Sequence, residues 1–319
     1  MKNLTVIVLF LFLHCSLFSQ EVSFSQPFAS KIILNPAFSG SGNSAEAVLV
    51  YRNHFPGVAN AYETYAFTIN TPIDFMNGGL GLSIVNDRFG NGALAVKQVN
   101  FVYVYNFRIN TNFIVRTAAA ISYQQMSYDF NKMIFADALL NENGITLEQN
   151  NFQAEGNFGF SFASLLNYKK IYFGAVTKNL QNFFENKNSQ NSTFHQNPEF
   201  TFHIGSIINQ KNRARSGNKF SPNIIFKFTE LANTINYGFY FNTVQYGFGL
   251  WYRHDLNLTP EALVFAANFS FADFYMGYSF DFPISSTKKQ TFGAHELTFG
   301  IKFAYNKTKR RAAVECPEM

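Results

Sequence analysis

Charge is scarce in this chain. Only 14% of the 319 residues are charged, against about a quarter in an ordinary soluble domain. Cysteine is scarcer still: Cys15 and Cys316 are the whole supply. Cys15 falls in a stretch read below as a removable leader, so the mature chain can form no internal disulfide. Its stability has to come from a large, self-sufficient fold. After residue 20 no apolar run is long enough for a membrane helix, which takes about 18 residues or more. Mean hydropathy is near zero, at −0.06, and this also excludes a bundle of such helices. The formal net charge of +5 is too mild to point to nucleic acid.

What the chain has in quantity is aromatic: 40 Phe and 16 Tyr. Abundant aromatics at neutral hydropathy suit many strands that are apolar on one face only. The first residues, MKNLTVIVLFLFLHCSLFSQ, read as a secretory leader over residues 1–19. Lys2 supplies the charge, Leu4 to Leu13 the apolar stretch, and Ser19 before Gln20 the cleavage point. Cys15 raises a lipoprotein signal, but His14 before it is a poor fit to the small residue such signals want.

Beyond residue 44 the chain alternates with period two. In FYMGYSFDF, Phe274, Met276, Tyr278, Phe280 and Phe282 share one face, and Tyr275, Gly277, Ser279 and Asp281 the other. LVFAANFSF and LTFGIKF repeat the pattern. A greasy aromatic face opposite a small polar one is what lipid on one side and a polar lumen on the other require. Fourteen candidate strands follow: 44–52, 60–71, 78–88, 92–108, 112–128, 152–167, 169–178, 198–210, 219–230, 233–242, 244–255, 260–270, 272–283 and 292–305. Most are close to the ~9–11 residues that cross a bilayer at a tilt. A soluble sandwich or propeller would need more charge on the solvent face of each strand.

Connection lengths give an independent check, because outer-membrane barrels have short periplasmic turns and longer outer loops. The long gaps, 129–151, 179–197 and 284–291, are all odd-numbered, while the tight ones, such as INTN, NYKK and NT, are even-numbered. NQKNRARSGNK is a moderate exception. The pattern predicts an all-β, transmembrane antiparallel barrel over 44–305 with both termini in the periplasm. Residues 20–43 form a polar segment long enough to enter the barrel or line its mouth, and 306–319 a basic tail. Gly300, Phe303 and Tyr305 resemble the terminal signal by which such barrels are recognised for insertion.

Catalytic patterns are thin. HELTF begins like a zinc-protease motif but has Phe299 where the second histidine belongs. As strand neighbours, His295 and Glu296 point to opposite faces and cannot form a dyad. A lipid hydrolase would need an outward serine and histidine on adjacent strands, with His203 or His254 the histidines to consider. No cofactor is expected. A solute channel is the more credible alternative activity. Two basic clusters share one side: Lys211, Arg213, Arg215 and Lys219, and Lys307, Lys309, Arg310 and Arg311. They suit lipid headgroups or an acidic periplasmic partner. Cys316, followed by Pro317, is either paired within a complex or a tolerated thiol in a loose tail.

Several stretches together resemble the PorP/SprF family of the type IX secretion system in Bacteroidetes. They are FSQ at Phe24–Gln26, NPAFSG at Asn35–Gly40, YRNHFPG at Tyr51–Gly57, GAHELTFGIKF at Gly293–Phe303, and the CPEM ending. Phe55 replaces the family's usual tryptophan and Met319 its terminal phenylalanine; both stay apolar. The resemblance implies a non-enzymatic outer-membrane barrel serving secretion or surface attachment of a large client such as an adhesin. It also implies linkage to periplasmic components, including a peptidoglycan-associated lipoprotein. The candidate partner-binding residues are Asn35, Pro36, Gly40, Arg52, Phe55, Lys211, Arg213, Arg215, Lys309, Arg310, Arg311, Cys316 and Pro317. Physically, Asn35-Pro36 is a turn former at the barrel entrance, and Gly40 permits a backbone closed to other residues. Arg52 is expected where strand one meets the outside, paired with a loop carboxylate.

Overall fold

The computed structural model describes residues 24–58, 62–110, 112–133, 153–183, 197–209, 218–230, 232–284 and 292–303. Fifteen strands form one sheet: β1 Ala45–His54, β2 Tyr62–Ile73, β3 Gly78–Phe89, β4 Leu94–Arg108, β5 Phe113–Tyr128, β6 Gln153–Tyr168, β7 Ile171–Lys178, β8 Glu199–Ser206, β9 Ile208–Asn209, β10 Lys219–Phe228, β11 Asn233–Asn242, β12 Tyr246–Asp255, β13 Pro260–Phe271, β14 Phe274–Pro283 and β15 Ala294–Phe303. Each pairs antiparallel with its chain neighbour, save that β8 and β9 both pair with β10. The last strand pairs with the first, from Ala45↔Phe303 to His54↔Ala294. The sheet therefore closes on itself and leaves no free edge. No described helix is long and apolar enough to cross a membrane, so the crossing belongs to the strands.

The strand boundaries lie within two residues of those expected from alternation, with one correction. The stretch 198–210 is not one continuous strand. Ile207 leaves the ladder and donates its N–H to the Lys170 carbonyl at 2.9 Å, while its side chain is buried inside. The break divides β8 from β9, and together they make one of fourteen staves.

Side-chain direction follows the pleat. On β13 to β15, Phe265, Phe269, Met276, Tyr278, Leu297 and Phe299 are exposed on the outer wall. Between them, Val264, Asn268, Ser279, Asp281, Glu296 and Thr298 are buried on the inner wall. Thr298, Gly277, Asn268 and Gly247 stand side by side across four strands. An inner wall of such small residues leaves a wide lumen.

The lumen is occupied by the chain itself. Residues 24–44 run inside the ring as a turn, a short helix α1 (Lys31–Leu34) and one turn of 3-10 helix at Pro36–Phe38. Phe28, Ile32, Ala37 and Phe38 form one apolar cluster with Val104, Ala118, Leu165, Tyr172, Tyr240 and Trp251 from the walls. Because the strands are antiparallel, connections alternate between two ends. One end holds the tight turns at 74–77, 169–170, 243–245 and 272–273 together with Ala45 and Phe303; the other holds the long connections after β5, β7 and β14.

Candidate functional site

The site is the contact between the lumenal segment and the walls. Near the tight-turn end, Asn35 ends α1 and opens the 3-10 turn. Its Oδ1 accepts the Ala37 N–H at 2.8 Å, and Pro36 takes the first position of the turn, where a missing N–H costs nothing. Asn35 Nδ2 donates to the Ser164 carbonyl at 3.1 Å and to His203 Nε2 at 2.9 Å. An amide nitrogen only donates, so His203 Nε2 accepts and its proton sits on Nδ1. Arg116, fully buried on β5, closes the turn by donating from Nε to the Ala37 carbonyl at 2.8 Å and from Nη2 to the Ser39 carbonyl.

Gly40 then brings the backbone against the wall. Its φ is +63°, and a Cβ there would sit 2.7 Å from the Thr71 carbonyl oxygen and 2.8 Å from Gly79 Cα. Only glycine on both sides allows this approach. Its N–H donates to Asn70 Oδ1 at 3.0 Å. Lys31 pairs with Glu46 at 3.3 Å, and Glu46 also accepts from Tyr275 Oη at 3.0 Å. In the middle, the Phe28 ring is surrounded by Phe38, Tyr172, His203, Tyr240 and Trp251, with centroids 6.1 to 6.5 Å away. Four of these contacts are edge-on and the one with Trp251 is tilted, and such aromatic packing adds to burial itself.

Toward the long-connection end lies a buried charge cluster. Arg52 on β1 pairs with Asp281 on β14 at 3.0 Å and with Glu296 on β15 at 3.3 Å, and Arg253 on β12 reaches Asp281 at 3.4 Å. Two cations thus face two anions out of water, the condition under which buried charge is tolerable. The lumenal segment docks on this cluster. The N–H groups of Ser25 and Gln26 donate to the two Glu296 oxygens at 2.7 and 3.2 Å, and Arg52 also contacts Ser25 Oγ.

Sequence reasoning placed Asn35, Pro36, Gly40 and Arg52 on one list, and the structure turns all four inward, buried against the barrel. The expected partner of Arg52 is corrected: both carboxylates are strand residues in the lumen, not loop residues. Phe55 sits apart at the long-connection rim, with φ +64°, its N–H bonded to the Gly293 carbonyl at 2.9 Å and its ring stacked on His54. Lys211, Arg213, Arg215, Lys309, Arg310, Arg311, Cys316 and Pro317 lie outside the described residues. His203 is buried on the inner wall, not outward as a lipid hydrolase would need; His254 is buried on the outer face of β12, packed against Tyr237 and Tyr252. His295 faces out to Tyr278 Oη at 2.7 Å, while Glu296 faces in.

The residues missed were Phe28, Arg116, Asp281 and Glu296. The signal for the last three was available: a charge at an inward strand position among small residues needs a partner inside.

A closed barrel with an apolar outer wall and a lumen filled by its own N-terminal segment defines a transmembrane β-barrel of the outer-membrane type. More particularly, the chain belongs to the PorP/SprF family, described as the type IX secretion system membrane protein PorP/SprF, whose family profile matches residues 16–301. No curated protein matches the chain. Solved structures similar to it include the Acinetobacter baumannii outer membrane protein Omp33, 7% identical with TM-score 0.47 over 84% of this chain and 100% of that one. A Pseudomonas aeruginosa FadL homologue is 10% identical, with TM-score 0.37 over 81% of this chain and 88% of its own. The KdgM porin is 7% identical, with TM-score 0.35 over 82% and 99% respectively.

Proposed function

We propose that this barrel is a non-enzymatic scaffold of the type IX secretion system, not a solute channel. It engages a large exported client, adhesin-like, at the long-connection end, which faces outside. At the other end, in the periplasm, it docks onto the secretion machinery through a peptidoglycan-associated lipoprotein. One observation carries this reading: residues 24–41 lie inside the lumen, bonded to β1, β2, β5, β6, β8 and β15. A lumen occupied by a segment tied down through neutralised charges, aromatic packing and a glycine contact suits a scaffold that holds partners on two faces better than an open channel.

The remaining parts of the reading are tied to sequence. Residues 1–19 are cleaved on export. The outer wall, with exposed residues such as Phe101, Phe160 and Phe299, contacts outer-membrane lipid. Lys211, Arg213 and Arg215 meet headgroups or an acidic partner on the periplasmic side. The tail 306–319 serves as a tether, with Lys309, Arg310 and Arg311 orienting it and Cys316-Pro317 inserting into the partner.

The test is a mild-detergent pulldown of the tagged protein from its native outer membrane, followed by mass spectrometry. A surface protein and a periplasmic lipoprotein of the secretion machine should follow it. Deleting 307–319 should remove the lipoprotein and spare the client. A barrel that purifies alone under the same conditions overturns the scaffold reading.

A further inference from the structure

We propose that the lumenal segment locks the seam between β1 and β15, so that unseating it parts these two strands while the rest of the sheet stays paired. The lock does not depend on what the barrel engages.

The seam differs from the other junctions in chain distance. Arg52 and Glu296 face each other across it and are 244 residues apart. No hairpin holds the two strands together once their ladder opens, and reclosing it means closing a very long loop. In the sheet, β15 lies between β14 and β1. Two straps pass over its inner face. Near the long-connection end, Asp281 on β14 meets Arg52 on β1 at 3.0 Å. Near the tight-turn end, Tyr275 on β14 donates from Oη to Glu46 on β1 at 3.0 Å. A glycine beneath makes the second strap possible: a Cβ on Gly300 of β15 would collide with the Tyr275 ring. On β1 the straps are anchored about 20 Å apart, at ~3.3 Å per residue between Glu46 and Arg52.

The lumenal segment takes part in both straps. Ser25 and Gln26 donate backbone N–H groups to Glu296 at 2.7 and 3.2 Å, and Ser25 Oγ contacts Arg52. Lys31 pairs with Glu46 at 3.3 Å, and Glu46 also accepts from Asn70 Nδ2 of β2 at 3.3 Å. Between the straps, Phe24 and Ile33 pack with Val48 and Val50 of β1 and with Tyr275. The ties across β8 are built otherwise. Tyr172 on β7 bonds Asn223 on β10, and Glu199 on β8 pairs with Lys178 on β7 and Lys227 on β10 at 3.1 and 3.4 Å. Those ties use wall residues alone, so unseating the segment leaves them whole. At the seam it strips Glu296 of two donors and Glu46 of the Lys31 ammonium. A buried carboxylate that loses its partners is better off in water, and opening the seam takes it there.

Hydrogen exchange read by mass spectrometry tests this on the full-length protein in detergent. Phe24→Ala, Lys31→Ala and Ile33→Ala are combined; all three lie in the segment and leave every wall residue in place. Amides of β1 and β15 should exchange about tenfold faster than in wild type, as local opening allows, while those of β7, β8 and β10 stay within about twofold. Even acceleration around the ring, or none at the seam, overturns the proposal. Disulfide staples give a second readout. In a Cys316→Ser background, Leu49→Cys with Phe299→Cys staples the seam at facing positions, and Phe101→Cys with Ile121→Cys staples β4 to β5 as the control. Added to the triple variant, the seam staple should restore slow exchange, or the heat-modifiable form if the triple variant does not assemble. The control staple should restore neither. Rescue by both staples, or by neither, overturns the proposal.

Discussion

The two walls of the same strands obey different rules. On β14 the outer side chains Phe274, Met276 and Tyr278 are exposed and large, and what matters about each is that it is apolar. One residue along, Ser279 and Asp281 are buried, and Asp281 has Arg52 and Arg253 as particular partners. The outer wall meets a fluid solvent, which accommodates any apolar shape. The inner wall meets a folded segment, which accommodates one. Composition is therefore enough to specify the outside, while the inside depends on pairs.

That contrast can be broken by substitution. The largest effect is expected from Arg52→Ala, which leaves Asp281 and Glu296 facing each other with less positive charge. Stranding a buried charge costs about 3–5 kcal/mol, read as a lower apparent Tm in detergent and loss of the heat-modifiable form on gels. Gly40→Val comes next: the left-handed backbone and the contact at Gly79 together should cost about 1–3 kcal/mol. Gly42→Ala, where a Cβ would make only ordinary contacts with the Ser44 backbone at 3.8 Å and beyond, should leave the melting curve unchanged. Asn35→Ala removes a turn cap and the donor to His203, an expected loss of about 1 kcal/mol. The smallest effect belongs outside. Phe265→Leu and Phe299→Leu should stay within about 0.5 kcal/mol of wild type. Outer-wall swaps as costly as Arg52→Ala would erase the distinction between the walls.

The same contrast explains what the sequence disclosed. Strands were legible because period two survives in any strand with unlike faces, as in Phe265 to Ser270. The break at Ile207 was not, since its cause is a hydrogen bond to Lys170 across a separate turn. The turn chemistry of Asn35-Pro36 and the special backbone of Gly40 could be read locally. The partners of Arg52 could not: Asp281 and Glu296 are 229 and 244 residues away, and only closure of the barrel brings them near. Residues 24–44 show neither period, because their burial is imposed by walls on all sides and not by one face.

Conductance of the purified wild-type protein in planar bilayers tests the central claim, that the chain fills its own lumen, most directly. The account predicts incorporation without steady conductance, the current staying at the bare-membrane level. Steady, long-lived pores from the wild-type protein would contradict it and return the barrel to the class of solute channels.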